Sequence, residues 1–161
     1  MLPLDEGAIR ASFCNASRRE SAGASLPDLA SFPWSERDHL AWRDAKQPLL
    51  GYVVTELDGA PVGVLLRQAE RTPRARAQCS WCEDVQLPND VVFFSARRAG
   101  AAGRRGDTLG TLVCAHFECA VNVRRRPPLA YPGFDRDAEV ARRIESLAQR
   151  VSDFVRRVAA D

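Results

Sequence analysis

Hydrophobic positions along the chain change their spacing from one stretch to the next, and each spacing predicts its own element. Ile9 and Phe13 lie four apart behind Asp5, which predicts a short helix capped by that aspartate. A Ser/Ala/Gly stretch follows, punctuated by Pro27 and Pro33. Ser35 to Arg43 reads as a second short helix with Leu40 and Trp42 turned inward, and Pro48 ends it. Tyr52–Leu57 and Val62–Leu66 are β-rich runs on either side of Asp58-Gly59, a strong hairpin signal. Val91–Phe94 predicts a short buried strand and Leu109–Val113 its return, joined by a small-residue, arginine-studded loop from Ala96 to Gly106. Phe117 to Arg126 reads as a helix stopped by Pro127-Pro128. After a Pro/Gly linker, Val140, Ile144, Leu147, Val151, Phe154 and Val158 step by 4, 3, 4, 3, 4 and form one apolar stripe on a closing helix. So few heptads predict packing onto the same domain, with coiled-coil dimerisation as the alternative, hence a monomer or a weak dimer.

Composition narrows the classes. With 161 residues and 45% apolar content the chain can bury one core and is expected to form one domain. No apolar run approaches the roughly 20 residues that span a bilayer. The N-terminus turns acidic at Asp5-Glu6 and lacks the basic-then-apolar order of a signal peptide, so the cytoplasm is expected, with its cysteines reduced. Asn15-Ala-Ser17 then matches a glycosylation acceptor by chance only.

The net charge of +2 is unevenly spread. Residues 1–66 balance at −3, residues 67–126 at +5, and residues 127–161 are neutral. Nearly all of the cations are arginines, Lys46 being the only lysine. Their planar forks suit carboxylates and phosphates alike, so charge does not choose between a protein and an RNA partner.

Cysteine spacing carries the most specific chemistry. Cys79-Ser-Trp-Cys82 is followed after 31 residues by Cys114-Ala-His-Phe-Glu-Cys119. A thiolate pair two residues apart grips one tetrahedral zinc from a tight turn, and a second pair closes the shell. Cys119 falls at a helix start, where the thiolate form is favoured. Knuckle, hairpin and helix in that order describe a treble clef. The expected fold is therefore α+β, an antiparallel sheet with a treble-clef zinc finger and flanking helices. Residues 1–66 hold N-terminal helices and a hairpin, 67–126 the zinc finger, and 127–161 the linker and closing helix.

His116 competes as a ligand. Two residues from Cys114, it is expected to point away from a metal shared with Cys119, and the metal-free reading stands as the remaining alternative. Four thiolates leave no open position, so such a zinc is structural and not catalytic. Cys14 reads as a small core residue, and His39 as a surface or satisfied histidine. No Ser/His/Asp set, phosphate loop or dinucleotide fingerprint is present, and Gly100-Ala-Ala-Gly103 lacks the Lys-Ser/Thr that a phosphate cradle requires. The functional candidate is the segment holding Arg97, Arg98, Arg104, Arg105 and Thr108, read either as a solvated hairpin tip or as a positive finger seeking an acidic protein face or phosphates. Arg124-Arg125-Arg126 could extend it, and Trp81 could offer a stacking surface to RNA.

Ile9-Arg-Ala-Ser-Phe13, Trp42-Arg-Asp44, Val62-Gly-Val64, Cys79-x-x-Cys82, Ser95-Ala-Arg-Arg-Ala-Gly-Ala-Ala-Gly103, and Gly110-Thr-Leu-Val-Cys114 through Cys119-Ala-Val-Asn-Val-Arg124 resemble the FBP domain. This is the C-terminal treble-clef zinc finger of FusB-type proteins that bind elongation factor G. The resemblance covers nearly the whole chain. It implies zinc ligands at Cys79, Cys82, Cys114 and Cys119, no enzymatic activity, and binding to elongation factor G. FusB-type proteins release that factor from the ribosome, which protects translation when fusidic acid traps it there. Only about fifty residues, interrupted by prolines, precede the first hairpin, so no separate N-terminal helical bundle like that of FusB is expected among them, and the chain resembles the single-domain members of actinobacterial type. The resistance role belongs to the two-domain proteins. The alternative function is a zinc-finger module acting on ribosomal RNA.

Overall fold

The computed structural model of the chain describes residues 1–70, 77–84 and 90–160. Arg71, Arg74 and Arg76, which contribute to the +5 balance of residues 67–126, lie outside them. The architecture is α+β. Helix α1 (Glu6–Ser12) starts where predicted, with the Asp5 carboxylate accepting from the Ala8 N–H, and it buries Ile9 completely. A six-residue helix, α2 (Arg18–Gly23), follows within the Ser/Ala/Gly stretch. It is held by a capping box in which Ser17 and Glu20 exchange side-chain-to-backbone bonds. The Ser17-x-x-Glu20 spacing was its visible signal.

The sheet has five antiparallel strands in sequence order: β1 (His39–Arg43), β2 (Leu50–Leu57), β3 (Ala60–Gln68), β4 (Val91–Arg97) and β5 (Thr108–Cys114). Asp58 and Gly59, both at positive φ, make the predicted tight turn between β2 and β3.

Strand β1 replaces the expected helix over Ser35–Arg43; only Trp34–Glu36 turn helically. The reason lies in the two-residue spacing of Leu40 and Trp42, which a strand places on one face. Paired against Val54 and Tyr52, they join Phe13 in an apolar cluster, where the Trp42 and Tyr52 rings stack at 4.8 Å. That packing overrides a weak local preference in a charged five-residue stretch.

Both faces of the sheet are covered, which explains why β2 is buried along nearly its whole length instead of alternating. Leu50, Tyr52, Val54 and Leu65 face the N-terminal cluster with Ile9 and Phe13. Val53, Val64, Leu66, Phe94 and Val113 face the other way, toward the cysteines. Gly63 permits the N-terminal contact: a Cβ there would lie 2.8 Å from the Phe13 ring.

The closing helix α5 (Arg136–Ala159) is capped by Asp135, which accepts from the N–H groups of Asp137 and Ala138. Leu147, Val151, Phe154 and Val158 of the predicted stripe, with Val155, are buried in the cysteine-side core, and Val140 and Ile144 are half-buried. The stripe thus spends its last four residues on the chain's own core.

Candidate metal centre and arginine surface

The knuckle forms because backbone N–H groups converge on one sulfur. The N–H groups of Trp81 and Cys82 lie 3.4 and 3.5 Å from Cys79 Sγ. The Ser80 N–H donates to the Leu112 carbonyl at 2.8 Å and docks the knuckle on the open edge of β5. The second pair comes from the end of that strand. Cys114 closes β5, the chain turns through Phe117 at positive φ, and Cys119 opens α4 (Cys119–Arg124). This helix is shorter than the one expected over Phe117–Arg126, because the turn that aims Cys119 inward uses up its first residues.

All four Sγ atoms lie within 4.8 Å of one another and all four residues are buried. Cys79 and Cys119 approach to 3.5 Å, Cys82 and Cys114 to 3.6 Å. Zinc–sulfur bonds of about 2.3 Å in a tetrahedron place sulfurs about 3.8 Å apart, so the cluster fits a structural Zn²⁺. Four buried thiolates this close repel one another, and a dication relieves that repulsion by serving as their common partner.

Asn122, 1% exposed, adds a donor that the sequence reading missed. Its Nδ2 lies 3.5 Å from Cys114 Sγ and 3.9 Å from Cys82 Sγ. Its position three residues after Cys119 on a helix was the available signal. His116 is exposed and stands outside the sulfur cluster.

Trp81 is buried, with ring contacts to His39, Phe117 and Phe154 at 5.8 to 6.3 Å, and offers no stacking surface to a nucleotide base. Against it, His39 is buried, contrary to the expected surface or satisfied histidine, and its Nδ1 has no hydrogen-bond partner among the described residues. Burial pushes its pKa down to about 4; Asp38 opposes this, while Arg124 and Arg37 reinforce it. Cys14 is half-buried against the cysteine-side core, and desolvation raises its thiol pKa, as suits a packing residue.

The arginine segment is more ordered than a hairpin tip. Strand β4 runs on to Arg97, and α3 (Gly100–Arg104) buries Ala102 and Gly103. A Cβ on Gly103 would collide with the Arg98 carbonyl at 1.7 Å, so the small residues allow close packing here. The Ala99 N–H donates to the Val158 carbonyl, and Arg98 Nη2 to that of Ala160, tying the segment to the end of α5. On this base Arg97, Arg104, Arg105 and Thr108 are exposed and Arg98 is half-buried. Arg97 and Arg105 stand 3.8 and 4.0 Å from the Glu20 and Asp107 carboxylates, and Arg124, Arg125 and Arg126 pair with Asp38, Asp84 and Asp137.

The model of the FBP C-terminal treble-clef zinc-finger family matches residues 8–158. The chain belongs to this family. The treble clef is carried here by the knuckle, the β4–β5 hairpin and α4, with its cysteine cluster at their junction. No curated protein and no solved structure matches the chain. Among the described residues of this FBP-family chain, no helix is long and apolar enough to cross a membrane.

Proposed function

We propose that the chain is a non-catalytic cytoplasmic binding protein that engages translation elongation factor G and alters its residence on the ribosome. Cys79, Cys82, Cys114 and Cys119 ligate the zinc, and Arg97, Arg98, Arg104, Arg105 and Thr108 form the contact surface. The observation that carries this reading is the closed cluster of four buried sulfurs within a family-matched fold. Such a shell supplies rigidity and no coordination site for substrate. These residues stand on β4, α3 and the start of β5, the hairpin that leads into the cysteine junction. Binding would act by preferring one conformation of the factor, which shifts its equilibrium without covalent chemistry. Relief of fusidic acid trapping follows only if the preferred state is the one that leaves the ribosome.

The test is co-elution of the purified, zinc-loaded chain with elongation factor G, run beside naked ribosomal RNA. The factor is expected to shift the chain, and the double variant Arg104→Glu with Arg105→Glu to lose the shift while keeping its zinc content and circular dichroism. Capture by RNA alone would replace this reading with the RNA-module alternative.

A further inference from the structure

Two adjoining clefts of about 220 Å³ each lie where the N-terminal segment crosses β3, β4 and α3. They share Asn15 and Arg97 as lining residues. Asn15 is buried and works as a staple: its Nδ2 donates to the carbonyls of Leu65 and Arg97 at 3.0 and 2.8 Å, and its Oδ1 accepts from the Leu65 N–H at 2.8 Å. The chain segment on one side is thereby fixed against the arginine-bearing strand on the other, and the concavity is preformed.

Its charge is one-sided. Arg67, Arg97, Arg98 and Arg104 line the two clefts, and Glu20 is the single carboxylate among the described residues that do so. Glu20 already occupies the guanidinium forks, with Oε1 2.6 Å from Arg67 Nη2 and Oε2 3.8 Å from Arg97 Nη2. Among the described residues, none lining the second cleft is a carboxylate. Arg104 there has no hydrogen-bond or ion-pair partner among the described residues, and the buried Arg98 Nε has no hydrogen-bond partner. Arg98, whose Nη2 bonds only the neutral Ala160 carbonyl, and Arg104 thus have no carboxylate partner among the described residues; cations so placed around a concavity focus positive potential, and their planar forks match carboxylates. Among the described residues no aromatic side chain lines either cleft, so a nucleotide base would find none of them to stack on.

We propose that this double cleft seats an acidic polypeptide segment, with one carboxylate among Arg97, Arg98 and Arg104, and that Glu20 is a built-in competitor occupying Arg67 and Arg97. The inference rests on the proposed function only in taking the partner to be a protein. The probe is octaglutamate, titrated calorimetrically into the zinc-loaded full chain at low salt, beside octauridylate. Octaglutamate is expected to bind and octauridylate to bind more weakly. Arg104→Gln should weaken octaglutamate about fivefold, the scale of one exposed charge pair, while Arg142→Gln on α5 leaves it unchanged. Glu20→Gln retains the capping-box geometry, since glutamine also serves at that position, and should tighten binding about threefold. No octaglutamate binding, equal losses in the two arginine variants, tighter octauridylate binding, or an unaltered affinity in Glu20→Gln would each overturn the proposal. Capture of elongation factor G without octaglutamate binding removes the cleft and leaves the function. Octaglutamate binding without capture of the factor does the reverse.

Discussion

The two faces of the sheet are held by different means. On the N-terminal face Phe13, Trp42 and Tyr52 interlock, and Asp44 closes the end of β1. Its carboxylate, although buried, accepts from the Ser25, Lys46 and Gln47 N–H groups and the Tyr52 hydroxyl at 2.8 to 3.1 Å. On the other face the knuckle, the end of β5 and the start of α4 meet at four sulfurs, and α5 covers the junction. One face rests on packing and neutral or singly charged hydrogen bonding. The other gathers four thiols whose stable arrangement calls for a dication. Stability and metal content should therefore be separable by where the chain is perturbed.

The largest effect should come from chelation. A structural zinc contributes on the order of 10 kcal/mol in small fingers, comparable to the whole stability of a typical domain. Stripping the metal at neutral pH is expected to unfold the cysteine face, read as exposure of Trp81 in fluorescence and collapse of the thermal transition. An unchanged Tm after complete removal would erase the contrast between the faces. Next comes Trp42→Ala, which empties a stacked site on the opposite face and should cost about 3–5 kcal/mol in denaturant unfolding. Zinc content is expected to stay at one per chain; loss of metal in this variant would show that the faces are not independent.

The smallest effect concerns pH. His39 titrates near 6.5 when unfolded and near 4 in the fold, so its full stability is present above pH 6.5 and is lost as pH falls toward 4. Between pH 7.5 and 5 the loss should be about 2 kcal/mol, measured while zinc remains bound. His39→Leu should remove that slope and leave only the contribution of the thiolates. Equal slopes in both proteins would contradict the burial argument.

How far the sequence reached depends on how local the determinants are. The β2–β3 hairpin was legible because Asp58-Gly59 fixes its turn by backbone chemistry alone, and α5 because its stripe runs for five steps. The cysteine cluster was legible because thiols in two close pairs have little else to do in a reduced chain. Strand β1 was not, since its identity is decided by Tyr52 and Val54 across the sheet and not by its own five residues. The helix α3 escaped because Gly-Ala-Ala-Gly carries no period, and the bonds that anchor its start run from Arg98 and Ala99 to Ala160 and Val158, some sixty residues later. His39 took its role from burial beside Trp81, which no spacing records, and Asn122 was signalled only by its place three residues after Cys119. Asn15 is the sharpest case: within a chance glycosylation match it is the side chain that staples the N-terminal segment to the sheet.

A metal that braces a binding surface and performs no chemistry requires a closed shell. Zinc K-edge absorption on the purified chain measures this directly. Four sulfur scatterers at about 2.3 Å with no oxygen or nitrogen neighbour are expected. Three sulfurs with one lighter ligand would contradict it, for that shell has an exchangeable position and the chemistry of a catalytic metal.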